Sequence, residues 1–237
     1  MSIISCRDYE EMSELAYKEV VVDIRQFQGQ LICAATGNSV RGLYKRLSAK
    51  FRDDPGPFEK LGVLKLDEWL GIGEGHPSSC ESYLREHLTG PLGISTGQFI
   101  GFKSMADDPL KECKRVEKSI ALRGGIGCCI LGLGVNGHIG FNEPGDFLHP
   151  YCHVATLSDS SLGHSMLTSS DIKPKFGFTL GIGTILQARK IVLLLTGKGK
   201  KQVIENWLSQ KITPRLPASF LWAHPGLSCY RDLETTS

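Results

Sequence analysis

IGCCILGLGVNGHIGFNEPG, residues 126–145, passes within a few positions from a continuous apolar run into a loop dense in glycine. The run at 126–131 is short and lacks alternation, which is how a strand buried on both faces of a parallel sheet reads. The glycine-dense loop beyond it is a poor core element. Gly132, Gly134, Gly137 and Gly140 let backbone approach a ligand closely, and His138 stands five positions before Glu143. With Pro144 and Gly145 turning the chain, an imidazole and a carboxylate at that spacing can fold together. They would serve as a proton-transfer group and the partner that orients it.

Outward from this stretch, apolar runs alternate with amphipathic segments in both directions. A helix is expected over 9–27, where Met12, Leu15, Ala16, Val20 and Ile24 recur at three- and four-residue intervals behind Asp8 as N-cap. An apolar run at 30–35 precedes Val40, Leu43, Tyr44 and Leu47 at helical spacing, giving strand, turn and helix. Further strands are expected at 62–66, 98–102, 154–157, 176–181, 190–195 and 227–230, with helices at 79–88, 107–122 and 200–208. This order predicts an α/β fold: a single domain over 1–237 with a central, mainly parallel sheet and helices on both faces, a Rossmann-like three-layer sandwich. No linker-like segment or internal repeat divides the chain.

Composition removes several classes of function. The formal net charge is +2 and the basic residues are scattered, so the electrostatic footprint of a nucleic-acid binder is missing while small anions remain plausible partners. Eight cysteines without a CxxC pair read as buried free thiols. The N-terminus has no basic-then-apolar leader and no apolar stretch nears the roughly eighteen residues of a membrane span, so a cytoplasmic protein is expected. His149, Cys152 and His153 have spacings a metal could use. A fourth ligand is not evident, and a strand over 151–157 would turn Cys152 and His153 to opposite faces, so no metal is expected. GLGVNG at 132–137 matches the GxGxxG dinucleotide pattern, but Gly140, Pro144 and Gly145 prevent the helix that pattern must open.

In an open parallel sheet, ligands bind beyond the carboxyl ends of the strands. Four chemically loaded segments directly follow apolar runs: 36–39, 67–68, 132–143 and 196–200. Thr36, Gly37, Asn38 and Ser39 place hydroxyls, a glycine and an amide at the turn into a helix, a setting that presents free N–H groups to a phosphate. The plainer reading is a helix N-cap by Asn38 or Ser39. Lys200, in TGKGK, can add positive charge, although the segment is no Walker loop. Of Asp67 and Glu68, one is the candidate general base, since a carboxylate at a strand end can lose solvent and gain basicity. The alternative is a solvated acidic loop.

On these residues the chain resembles the glucosamine-6-phosphate deaminase family, and most closely its galactosamine-6-phosphate deaminase/isomerase branch. The likeness spans nearly the whole sequence: Thr36-Gly37, LDEW at 66–69, HP at 76–77, GVNGHIGFNEP at 134–144, FTLGIG at 178–183 and TGKGK at 196–200. The branch leans on GLGVNGHIGFNEPG and on PASFLW at 217–222. The resemblance implies that Asp67 moves a proton between sugar carbons 2 and 1, and that His138 opens the pyranose ring with Glu143 oriented against it. It places phosphate on Thr36, Gly37, Asn38, Ser39 and Lys200. Ammonia is released without cofactor or metal. Galactosamine 6-phosphate would give tagatose 6-phosphate, and glucosamine 6-phosphate would give fructose 6-phosphate.

Two departures alter the picture. Asn136 stands where the glucosamine-specific enzymes usually carry aspartate; it can hydrogen-bond substrate or His138 but accepts no proton at neutral pH. Between 158 and 167, Ser161, His164, Ser165 and Met166 replace an arginine near the phosphate, so binding should rely on Lys200 and backbone N–H groups. No basic cluster for allosteric activation is evident, and hyperbolic kinetics are expected. The partner is a small amino-sugar phosphate, and a homo-oligomer is compatible with the sequence. Hydrolysis of 6-phosphogluconolactone and a non-catalytic sugar-phosphate sensor are the competing readings; both leave the joint presence of Asp67, His138 and Glu143 unused.

Overall fold

Side chains alternate between the two faces of a strand, so a run of consecutive buried residues means that both faces are covered. Ile191, Val192, Leu193, Leu194 and Leu195 are all wholly buried, as are Cys128, Cys129, Ile130 and Leu131. These runs form the centre of a seven-stranded sheet in the computed structural model, which describes residues 1–163, 166–167 and 172–236. Its strands are β1 (Ser2–Cys6), β2 (Leu31–Ala34), β3 (Gly62–Lys65), β5 (Phe99–Ile100), β6 (Cys128–Gly132), β9 (Lys190–Leu195) and β10 (Leu227–Asp232). They lie in the order β1-β10-β9-β6-β2-β3-β5, each pair parallel. This is the α/β architecture that the alternation implies.

The helices form where spacing and caps agree. α1 (Tyr9–Gln26) starts at Asp8, whose side chain accepts the Glu11 N–H, and it buries Met12, Ala16, Val20 and Ile24. α2 (Asn38–Asp53) crosses it so closely that a Cβ on Gly42 would lie 2.2 Å from the Ser13 hydroxyl. α3 (Cys80–Leu84) starts at Ser79 and runs on into a π turn, and α4 (Pro109–Leu122) starts at Asp108. The remaining helices are α5 (Asp159–Leu162), α6 (Ile182–Leu186), α7 (Lys201–Leu208) and α8 (Leu233–Thr236). All eight cysteines are free thiols, seven of them buried. Among the described residues no helix is long and apolar enough to cross a membrane.

Some elements differ from expectation. β1 is an edge strand with mostly exposed residues, so it carries no periodic signal. The strand expected at 98–102 shrinks to two residues, and the last strand runs two residues further, to Asp232. The larger correction concerns Asp67 and Glu68. They are no loop: they open β4 (Asp67–Trp69), which pairs antiparallel with β8 (Phe176–Thr179), itself paired with β7 (His153–Thr156). Leu66 is the transfer point, its N–H donating to Ala34 O in the large sheet and its carbonyl accepting from Leu180 N. Trp69, Ile72, Cys80 and Phe141 pack into a second, smaller core beside this sheet.

After Gly132 the chain runs through turns to β7 without a helix, unlike a dinucleotide-binding loop. Beyond those turns the His149 and His153 rings pack at a 33° tilt with centroids 4.4 Å apart, and His153 Nδ1 faces Tyr151 O.

Candidate active site

β9, β6, β2 and β3 are consecutive neighbours, and register brings their carboxyl ends to one level: Ala34 pairs with Ile130 and Lys65, and Ile130 with Val192. β2 leads to β3 on one side while β6 leads toward β9 on the other. A crevice opens where such connections diverge. Here it is a cleft of about 650 Å³ lined by Thr36, Gly37, Asn38, Ser39, Asp67, His138 and Lys200. The acid, the imidazole and the ammonium singled out in the sequence therefore share one cavity.

Asp67 is 7 % exposed and its Oδ1 makes no hydrogen bond among the described residues. Burial, together with the negative Glu68, pushes its carboxyl up to about 7, against smaller opposing effects of the Cys80 thiol and Lys65. A carboxyl in that range can both take and return a proton near neutral pH. Glu68 does other work. It is wholly buried, pairs with Lys65 Nζ at 2.7 Å, and accepts the N–H groups of Trp69, Cys80 and Glu81, so it ties the start of α3 to β4. Of the two acids, Asp67 faces the cleft.

The His138 loop is braced from within. Gly134 N–H donates to His138 O at 3.1 Å, and Asn136 Oδ1 accepts the His138 N–H at 3.1 Å. Asn136 Nδ2 donates to Glu143 at 3.0 Å, and Glu143 also accepts from the Ser161 hydroxyl and from Ser158 N–H at 3.3 Å. His138 Nδ1 lies 3.5 Å from Glu143 Oε2, long for a hydrogen bond. Burial pushes the Glu143 carboxyl up, but the His138 ring and the Ser161 and Asn136 donors outweigh it and hold it down at about 2. Asn136 and Glu143 do not line the cleft; Asn136 holds the backbone N–H of His138, and Glu143 lies beside its ring.

The opposite chemistry gathers at the start of α2. Its N-cap is Gly37 at φ 100°, a left-handed conformation that favours glycine, and among the described residues no side chain caps the helix. The plainer reading, a cap by Asn38 or Ser39, is not what forms: Gly37 holds the cap position, and the first-turn N–H groups and positive helix end open on the cleft. Lys200 precedes α7; burial lowers its ammonium, and among the described residues no carboxylate opposes that effect.

Several lining residues escaped the sequence reading. Arg41, in the first turn of α2, adds a second cation. Trp69 and Phe141, with ring centroids 4.5 Å apart, form an aromatic wall. Ser160 lines the cleft, and its buried hydroxyl has no hydrogen-bond partner among the described residues. Of the residues between 158 and 167, Ser161 serves Glu143, while His164 and Ser165 lie outside the described residues.

The model of glucosamine-6-phosphate isomerases/6-phosphogluconolactonase matches residues 8–228. The chain belongs to this family. Within the family, AgaI, assigned as a deaminase in Escherichia coli (strain K12), is 38% identical over 222 residues, covering 94% of this chain and 88% of its own length. A glucosamine-6-phosphate deaminase of Clostridium novyi (strain NT) is 34% identical over 239 residues, covering 100% of this chain and 99% of its own. Among solved structures, a monomeric glucosamine-6-phosphate deaminase superposes with a TM-score of 0.94 at 30% identity, covering 99% of this chain and 98% of that one. The 6-phosphogluconolactonase of Trypanosoma cruzi shares the fold, with a TM-score of 0.79 at 23% identity over 99% of this chain and 95% of that one.

Proposed function

We propose that this chain is an amino-sugar 6-phosphate deaminase/isomerase that converts galactosamine 6-phosphate to tagatose 6-phosphate and ammonia. The observation that carries the reading is the shared cleft: a buried carboxyl poised near neutrality and a braced imidazole lie in the same cavity as an uncapped helix N-terminus and two cations. Phosphate binds at the α2 N-terminus with Arg41 and Lys200, and the sugar extends toward Asp67. His138 transfers the proton that opens the pyranose. Asp67 carries the proton from carbon 2 of the open aldose to carbon 1 while a proton of the 2-amino group passes to O1, giving the 2-imine of the ketose. Water adds to that imine and ammonia leaves, completing the ketose 6-phosphate. The carbon-bound proton is carried by Asp67 and the ring-opening proton by His138, both side chains of the cleft.

The choice of the galactosamine epimer is supported by GLGVNGHIGFNEPG and the segment 217–222, which act together. Ala218 N–H donates to Gly137 O at 3.0 Å, and a Cβ at Gly137 would meet Leu216 at 2.2 Å, so this segment backs the histidine loop. Ammonia and ketose 6-phosphate are to be measured from galactosamine 6-phosphate and glucosamine 6-phosphate under matched conditions, with Asp67→Asn and His138→Gln as controls. Galactosamine 6-phosphate should show the larger kcat/KM, and both controls should lose ammonia release. The reverse ranking would assign glucosamine 6-phosphate instead. Binding of either sugar without turnover would mark a sensor. Hydrolysis of 6-phosphogluconolactone that survives Asp67→Asn would mark a lactonase, since that reaction needs no enolising base.

A further inference from the structure

A backbone N–H is aimed by whatever holds the carbonyl across the same peptide bond, because the two groups of a planar trans peptide point in opposite directions. The Gly37 carbonyl accepts a hydrogen bond from the Tyr83 hydroxyl at 2.6 Å, and the Asn38 carbonyl accepts one from the Tyr9 hydroxyl at 2.7 Å. Each bond directs the next amide, Asn38 N–H and Ser39 N–H respectively, away from its tyrosine. Gly37, Asn38 and Ser39 all line the cleft, and the amides of a first helical turn have no acceptor within their helix.

Both hydroxyls are themselves held. Tyr9 OH also accepts the Gly42 N–H at 2.7 Å, so it bridges the carbonyl and amide of the first turn of α2. Tyr83 lies on α3, whose first amides are fastened to Glu68, and its ring packs edge-on against His87 with centroids 4.5 Å apart. Burial raises the Tyr83 phenol, which keeps it a neutral donor. A continuous path thus runs from β4, which carries Asp67, through Glu68, α3 and Tyr83 to the Gly37 peptide.

We propose that Tyr83 and Tyr9 are positioning residues for the anion cradle, fixing two successive peptide planes so that their N–H groups meet the substrate phosphate, and that Tyr83 ties this cradle to the strand bearing the base. The proposal rests on the phosphate reading of the cleft. Tyr9 itself lines the cleft, Tyr83 does not, and neither takes part in the proton transfers assigned to Asp67 and His138.

Tyr83→Phe and Tyr9→Phe each remove one hydroxyl and keep the ring. Inorganic phosphate is to be titrated calorimetrically into wild type and both variants, with melting curves alongside, and kcat and KM are to be measured with whichever amino-sugar 6-phosphate the wild type turns over. Phosphate should bind about three- to tenfold more weakly to each variant, the range expected for one lost orienting hydrogen bond. The loss in kcat/KM should fall on KM more than on kcat. If one variant fails to fold, the phosphate affinity of the other decides. Unchanged affinity in the folded variants, or a loss confined to kcat, overturns the proposal while the site assignment stands. A wild type that binds no phosphate overturns the site assignment, and the proposal with it.

Discussion

The His138 ring rests against the α-carbon of Gly134: a Cβ built there would come 2.4 Å from Nε2 and 2.5 Å from Cδ2 and Cε1. Glycine at 134 is therefore a condition of where the imidazole stands. Gly134→Ala must push the ring off this seat and change its separation from Glu143, while the anion end of the cleft, built on other loops, is untouched. We expect kcat to fall on the order of a hundredfold, the usual cost of misplacing a reacting group by about 1 Å, with KM changed far less. Steady-state kinetics and a melting curve check this; a kcat within twofold of wild type would show that the ring is not needed where it lies.

Asp67 links activity to a stability cost. Its carboxyl is raised from 3.8 to about 7, so between those values the unfolded chain has released a proton that the folded chain still holds. Stability contributed by this group therefore falls as pH rises through that window, by on the order of 4 kcal/mol, and the cost is fully present above pH 7. Asp67→Asn carries no such charge. The variant should melt higher than wild type at pH 8, should lose that advantage below the lower end of the window, and should lose isomerisation throughout. In the wild type, kcat/KM should climb as pH rises through about 7, where the base ionises. A variant that is less stable than wild type at pH 8 would mean that burial is not straining this carboxyl.

Much of this arrangement is readable from the chain because strand ends deliver chemistry to one rim. The run at 190–195 forms β9 residue for residue: five consecutive apolar side chains, all buried, are what a short strand covered on both faces requires. Thr36, Asp67, His138 and Lys200 were legible for the same reason: each follows an apolar run. β4 was not. Three residues that include two acids show no alternation, and their strand geometry comes from Thr179 and Phe178 more than a hundred positions away. Arg41 reads locally as an ordinary solvated charge on a helix. Lys65 sits in an apolar run; Glu68 is only three positions off, but the other partners that bury it, Glu81 and Phe102 O, lie 16 and 37 positions away. The tyrosine hydroxyls on Gly37 and Asn38 bridge 46 and 29 positions and are equally silent in the sequence.

Lys200 should betray the phosphate site without any turnover. Its ammonium is desolvated with no opposing carboxylate among the described residues, so an anion in the cleft supplies the missing partner. Inorganic phosphate should raise the melting temperature of the wild type in a concentration-dependent way. Lys200→Met should lose most of that shift and should bind the sugar phosphate roughly ten- to a hundredfold more weakly, as expected for a charge-assisted contact. Without phosphate the variant should be at least as stable as wild type, because it buries no charge. An equal phosphate-induced shift in the two proteins would move the anion site elsewhere.

Lys65 tests whether the strand behind the base is held by charge. Its Nζ is wholly buried between Glu68 at 2.7 Å and Glu81 at 3.1 Å, and those carboxylates raise the ammonium although burial lowers it. Lys65→Met leaves the buried Glu68 carboxylate, among the described residues, with three backbone N–H donors, and removing one partner of such a pair typically costs about 3–5 kcal/mol. For a chain of this size that corresponds to a melting temperature lower by roughly 10 °C. Glu68→Gln in the same chain should restore part of the loss, because the stranded charge is gone. The two variants should also move the base in opposite senses. Glu68 raises the Asp67 carboxyl and Lys65 lowers it, so the acid limb of kcat/KM should shift upward in Lys65→Met and back down when Glu68→Gln is added. A double variant no more stable than the single one, with the limb unmoved in both, would show that backbone N–H groups alone hold Glu68 and that Lys65 plays no part in setting the base.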